Sequence, residues 1–219
     1  MRNEEKNIRI VGMCGRSGSG KGFVSRVFEK NGIPVIDTDA VYHTLVMSGT
    51  RTDCLDEIAA AFGEEVITGE GTLDRRALAE IVFAPGNEQR LQTLNAIAHK
   101  HILRRTEETI SALAAEGAPS VIIDAPLLFE SGFDRLCRVK LCVYAPRNVQ
   151  LSRIRARDGI TDAAARRRLR SQRKQPELRR LCDAAILNDG VADVEAQVQS
   201  IIQAFSLSEP MCKEADGEI

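Results

Sequence analysis

No apolar run in this 219-residue chain approaches the roughly 20 residues that cross a bilayer, which excludes a membrane-spanning helix. No signal-peptide pattern opens it, and none of its six cysteines (Cys14, Cys54, Cys137, Cys142, Cys182, Cys212) pair as C-x-x-C. They are expected to be reduced thiols in a cytoplasmic protein. Cys137 and Cys142 with a histidine make only a weak zinc candidate. Net charge is nearly absent, at −1, so no bulk field draws the whole molecule to nucleic acid or to a membrane. Internal repeats are absent as well. What remains is an ordinary soluble composition, 43% apolar and 28% charged, long enough for one α/β domain with a small appended lid.

The most informative stretch is Ile8–Phe23, IRIVGMCGRSGSGKGF. Ile8 to Met13 reads as a buried strand, and the residues from Lys21 onward have helical spacing. Between them, Gly15–Lys21 fits Gly-x-x-x-x-Gly-Lys, a phosphate-cradling P-loop. Glycines let the backbone curl so that its N–H groups face phosphate oxygens. The first helical turn adds unpaired donors and a partial positive charge. Gly15, Arg16, Ser17, Gly18, Ser19, Gly20, Lys21 and Gly22 are the candidate nucleotide-binding residues, with Lys21 supplying the charge for the β- and γ-phosphates. The last position departs from the motif. A Ser or Thr hydroxyl usually ligates Mg²⁺ there, and this chain has Gly22.

Ile33–Ile36 reads as a second short strand with Asp37-Thr38-Asp39 at its C-terminal end. In an open parallel sheet the ligand crevice lies at strand C-termini, so both carboxylates are placed for chemistry, although Asp37 serves equally well as a helix cap. Residues 40–116 look mostly helical. Asp53–Phe62 is amphipathic, Gly69–Gly71 is a turn, a helix starts at Asp74 and ends near Phe83, and 87–116 forms one long helix or a bent pair. Ser120–Ile123 is another apolar strand, ending in Asp124. Val139–Tyr144 and Ala184–Leu187 are two more, and Val194–Phe205 is a final helix. Helices interleaved with short buried strands predict an α/β fold with a doubly wound, mostly parallel five-stranded sheet and helices on both faces. Met1–Asn7 is expected to fray, and the acidic stretch 208–219 to be disordered.

Charge concentrates between Arg153 and Arg180, where eleven basic residues face only Asp158, Asp162 and Glu177. No aromatic residue interrupts this run, which argues against a single-strand nucleic-acid surface built on stacking. A basic helical lid closing over polyphosphate, mobile without ligand, accounts for it better.

Taken together, several motifs in one order resemble the dephospho-CoA kinase family over about residues 8–205. They are Gly15–Lys21, then Gly32–Asp39 (GIPVIDTD), Asp74–Leu78 with Val82-Phe83, His99, Asp124–Glu130 (DAPLLFE), Arg153 and Arg157, Gln172, and Asp183 with Asn188 and Gly190. The resemblance implies a single P-loop kinase domain with a helical acceptor region at about 40–116 and a lid at about 153–180. It implies ATP-dependent phosphorylation of the ribose 3′-hydroxyl of dephospho-CoA, with ATP and Mg²⁺, in a cytoplasmic monomer that binds neither nucleic acid nor membrane. Asp39 would be the catalytic carboxylate, Lys21 would hold the transferring phosphates, and Arg153 with Arg157 would descend from the lid. Asn188 and Gly190 match the loop near the adenine. Asp37, Asp39, His43, Arg76, His99, Asp124, Pro126, Leu127, Leu128 and Glu130 match the acceptor side. Asp39 and Asp124 are the carboxylates left to face Mg²⁺.

Several positions depart from that pattern: Gly22, Phe23 in place of a small polar residue, His43 in place of Arg, Cys14 in place of Thr, and Lys100 in place of Pro. Two alternatives stay open: a kinase for another nucleoside-like acceptor, since the P-loop and lid are generic, and a nucleotide-binding module with weakened catalysis, for which Gly22 argues.

Overall fold

The computed structural model describes residues 8–210, so the frayed start expected at Met1–Asn7 and the tail from 211 on lie outside the described residues. In chain order the elements are β1 (Arg9–Cys14), α1 (Lys21–Lys30), β2 (Val35–Asp37), α2 (Thr38–Met47), α3 (Asp53–Phe62), α4 (Arg75–Val82) and α5 (Glu88–Ala115). They continue through β3 (Ser120–Asp124), β4 (Val139–Tyr144), α6 (Arg147–Asp158), α7 (Asp162–Ser171), α8 (Gln175–Arg180), β5 (Ala184–Leu187) and α9 (Val194–Ala204). The stretch expected as one long helix or a bent pair is one helix, α5. The chain divides into two compact units, Asp37–Thr109 and the remainder.

The larger unit holds a five-stranded parallel sheet in the order β2-β3-β1-β4-β5. Arg9 to Met13 pair with Ser120 to Asp124 on one side, and Val11 to Cys14 with Val139 to Cys142 on the other. A strand flanked by parallel neighbours and covered by helices is buried on both faces, which is why β1, β3 and β4 read as nearly continuous apolar runs. Val24, Val27 and Phe28 of α1 and Val198, Ile201 and Ile202 of α9 pack on Val11, Met13, Ile122, Leu141, Val143 and Ile186. Burying a Phe28-sized side chain contributes roughly 1.5–3 kcal/mol, so this layer fixes α1 against β1 and with it the loop between them. Asn31 closes α1, and Gly32 takes the left-handed conformation that follows a helix end, with φ +76°. After α9 the chain stays tied down as far as Glu209: Arg9 donates to the carbonyls of Ser206 (2.7 Å) and Glu209 (2.5 Å).

The smaller unit is helical. Val46, Cys54, Leu55, Ile58, Phe62, Val66, Leu73, Leu78, Val82 and Ile97 form its core. Its helices begin on side-chain caps that satisfy first-turn N–H groups: Asp37 for α2, Thr52 for α3 and Asp74 for α4. Ile67 and Leu73 form an antiparallel bridge around the turn at Gly69–Gly71.

Candidate active site

In the larger unit the loop between β1 and α1 leaves no space at three glycines. A Cβ on Gly15 would lie 2.6 Å from the Val143 carbonyl oxygen, and one on Gly18 would lie 2.5 Å from that of Gln150. One on Gly20 would collide with the Asn188 amide, and Gly18 and Gly20 have φ of +76° and +84°. Only glycine meets both conditions. Gly22 is different. It lies in the first turn of α1, and a Cβ there would meet nothing within 4 Å.

Lys21 ion-pairs through Nζ with Oδ1 of Asp124, at the end of β3. Ser25 donates from Oγ to the other oxygen, Oδ2, at 2.8 Å. Asp124 is buried, and both its oxygens are engaged by α1. Sequence reasoning singled out Asp124 and Lys21 but not Ser25, whose partner lies 99 residues away.

The basic segment is bound to the loop. Gln172 accepts from the Ser17 N–H and donates to its Oγ, both at 3.0 Å, and Arg16 donates to the Leu169 carbonyl. Arg153 donates to the carbonyl oxygens of Gly18 (3.4 Å), Ser19 (3.3 Å) and Asn188 (2.8 Å), and to Oδ1 of Asn188 at 3.1 Å. Gly20, Phe23, Arg153, Asn188, Gly190 and Val194 line a hollow of about 500 Å³. Arg153, Asn188 and Gly190 are therefore brought together with the loop. Phe23 joins them and is 45% exposed.

Arg157 instead pairs with Asp158 at 2.7 Å, and Arg168 engages the same carboxylate. Both arginines hold the Asp158 carboxyl below its usual range, the hydrogen bond from Arg157 most strongly. Glu130 pairs with Arg173 at 3.0 Å. Leu128 is fully buried and would meet a Cβ on Gly12, so its role is packing, whereas Leu127, next to Pro126, is 53% exposed.

In the smaller unit, Asp39 and His43 lie one turn apart on α2, and both line an open hollow of about 510 Å³. Tyr42, Leu73, Leu78, Val82 and Phe83 supply apolar walls, and Phe83 is 71% exposed. Asp37 stands outside the lining: its Oδ1 accepts from the N–H groups of Asp39 (2.9 Å) and Ala40 (3.2 Å), the cap reading of this residue. Arg75 lines the hollow, while Arg76, the expected acceptor residue, pairs with Glu80 at 3.2 Å with its side chain 91% exposed. The signal for Arg75 lay in the spacing 75, 78, 79, 82, one helical face. His99 on α5 is not among the lining residues, and burial lowers its pKa. Beside it, Lys100 and buried His101 both bond Oε2 of Glu57, each at 2.7 Å.

Among the described residues no group of three or more His, Cys, Asp or Glu side chains is arranged to hold a metal ion, and no helix is long and apolar enough to cross a membrane.

A glycine-tight loop with its lysine held ready by a strand-end carboxylate, on a parallel α/β sheet, defines a P-loop kinase. The sequence profile of the dephospho-CoA kinases matches residues 9–193. A dephospho-CoA kinase of Bacillus licheniformis is 35% identical over 202 residues, covering 90% of this chain and 96% of that one. One from Thermobifida fusca is 38% identical, covering 87% and 93%. A crystal structure of a Thermus thermophilus protein superposes with a TM-score of 0.77 at 32% identity, covering 91% of this chain and 98% of that one. The chain belongs to the dephospho-CoA kinase family.

Proposed function

We propose that this protein transfers the γ-phosphoryl group of ATP to the ribose 3′-hydroxyl of dephospho-CoA, giving coenzyme A and ADP. The carrying observation is that the family match, residues 9–193, spans both the loop that holds Lys21 and the segment that builds the Asp39 hollow. Phosphoryl transfer asks little of a protein beyond positioning and charge neutralisation. Lys21 exchanges Asp124 for the β- and γ-phosphates when ATP fills the loop. Arg153 and Asn188 hold the nucleotide side, and Phe23 offers an exposed ring to the base. Arg157 must release Asp158 to join them.

On the acceptor side a hollow of about 510 Å³, mostly apolar with a carboxylate, a histidine and an arginine, has the size and character of a small-molecule site. Asp39 accepts the proton of the attacking hydroxyl while its oxygen bonds to the γ-phosphorus and ADP leaves. Arg75 and His43 offer cationic or hydrogen-bonding partners for the acceptor's phosphates. The reading extends to a cytoplasmic monomer without nucleic-acid or membrane partners.

Mg²⁺ fits this site as an ion carried in by ATP rather than as a resident of a protein cage. Gly22 offers no side-chain oxygen, and Asp124 is the strand-end carboxylate beside the loop, which suits an ion that keeps several waters and binds mainly to phosphates. When bound, it neutralises charge on the phosphates.

Gly22 favours one rival, a module that binds ATP without efficient turnover. ADP release, measured with and without dephospho-CoA, separates the two. Acceptor-dependent release with 3′-phosphorylated product is expected. ATP binding with no acceptor-dependent release would leave the rival standing.

A further inference from the structure

Three sulfur atoms gather where β1 passes into the phosphate loop. Cys14, the last residue of β1 and the neighbour of Gly15, is the register partner of Cys142 on β4. Its Sγ lies 3.7 Å from that of Cys182, in the turn between α8 and β5. Cys14 and Cys142 are buried. Cys182 is half-buried and opens onto a separate hollow of about 440 Å³, whose wall includes Pro176, Arg179, Arg180 and Asp183. None of these three thiols has a place in the kinase chemistry above. Nor do they form a metal site, since no metal-holding group of three such side chains occurs among the described residues.

We propose that Cys14 and Cys182 are a dithiol that peroxide oxidises to a disulfide, displacing the phosphate loop. Two independent features support it: the sulfurs are already close, and one of the pair is reachable from solvent through a hollow with two arginines. The chemical environment sets the pH dependence. Hydrogen bonding within the cluster raises the Cys14 thiol and draws the Cys142 thiol well below its ordinary range, while the Cys182 thiol is pushed up to about 12, so Cys182 is expected to react faster as pH rises.

The step balances as follows. Cys182 gives its proton to a hydroxide ion, making one water, and its sulfur attacks one oxygen of hydrogen peroxide. The O–O bond breaks, Cys182 becomes a sulfenic acid, and the departing hydroxide replaces the one consumed. Cys14 then gives up its proton, its sulfur bonds to the Cys182 sulfur, and the second oxygen leaves as water. Two thiols and one peroxide yield one disulfide and two waters.

The consequence follows from geometry. A disulfide requires sulfurs about 2.05 Å apart, so this pair must close by roughly 1.6 Å from its 3.7 Å separation. Gly15 has no slack to absorb the movement, because the Val143 carbonyl and the Ser19 hydroxyl fill the space a Cβ would take. The shift therefore passes into the loop, where a misplacement on the order of 1 Å costs about 10²-fold in rate.

The test uses the full-length, fully reduced protein. It is treated with hydrogen peroxide, alkylated, digested without reductant and mapped by mass spectrometry, with kinase rate measured in parallel. Expected are a Cys14–Cys182 cross-link, a fall in rate on the order of 10²-fold and recovery with dithiothreitol. Cys182→Ser should keep its untreated rate and resist peroxide. Should that variant fail to fold, the cross-link and its reversal in the unmodified protein still decide the matter. The proposal is overturned if both thiols remain alkylatable after treatment, if the bridge joins any other pair, or if the cross-link forms without loss of rate.

Discussion

A hydroxyl has room at position 22, in the first turn of α1, where a Cβ would touch nothing within 4 Å. Gly22→Ser should therefore fold and lower the Mg²⁺ concentration for half-maximal rate, measured as initial rate against free Mg²⁺ at saturating ATP. Coincident curves would show that the missing hydroxyl does not matter. The same change should raise stability by part of the roughly 0.5–1 kcal/mol that Gly costs within a helix. Ser25 does not replace that hydroxyl. One turn on, about 5 Å along the axis, it is committed to Asp124 at 2.8 Å. A second contrast concerns Asp37 and Asp39. Asp39→Asn should lower kcat by about 10²–10⁴-fold, the usual worth of a general base, with ATP affinity little changed. Asp37→Asn keeps an oxygen for the Asp39 and Ala40 N–H groups and should stay far more active. If Asp37→Asn proves the more damaging, the base has been misassigned. A third contrast follows from α4: Arg75→Ala should raise KM for the acceptor more than Arg76→Ala does, because Arg75 lines the hollow while Arg76 faces solvent beside Glu80. The motif pointed to Arg76. Helical spacing separates the two arginines, but the Ser25–Asp124 contact had no local signal at all.

Among the elements, the basic segment is internally neutralised to a degree its composition hides. Asp158 engages Arg157 and Arg168, Asp162 engages Arg166, and Glu130 and Glu177 share Arg173. Glu130 comes from outside the segment, which is why a count of charges within it overstated the repulsion. Gln172 clasps Ser17 through two hydrogen bonds, so Gln172→Ala should speed limited proteolysis between Arg153 and Arg180 in the absence of nucleotide. ATP should slow cleavage in both proteins. Cleavage that ignores both the substitution and ATP would count against a lid. On α5, burial lowers the pKa of His99 from its ordinary 6.5. The unfolded chain then binds a proton that the folded one resists, so the His99 contribution is intact above about pH 6.5 and erodes as pH falls below it. Urea midpoints at pH 7.5 and 5.5 check this, since His99→Gln should show a smaller drop than the parent protein. Helix bounds were legible wherever an amphipathic stripe met a cap or stop signal, as at Asp53–Phe62. The helix α2 was not separately legible: it follows β2 directly, and its cap, Asp37, also closes the strand.

At the scale of the whole molecule, all five strands announced themselves as short apolar runs, but their lateral order did not, because nothing in a run says which other run lies beside it. That order, β2-β3-β1-β4-β5, sets the first strand at the centre. Its two neighbours arrive late in the chain: Ile10 pairs with Val121, and Cys14 with Cys142. During synthesis, then, the nucleotide loop lacks the strands that flank β1 until Ser120–Asp124 and Val139–Tyr144 have left the ribosome. Until Val139–Tyr144 emerges, β1 has at most one partner and an open edge of unpaired backbone. The catalytic loop is made before both of the strands that flank β1 and acquires its form only after them. A nascent chain stalled before residue 139 is expected to expose β1 to aggregation and to chaperones, whereas one stalled after residue 187 already carries every strand of the sheet.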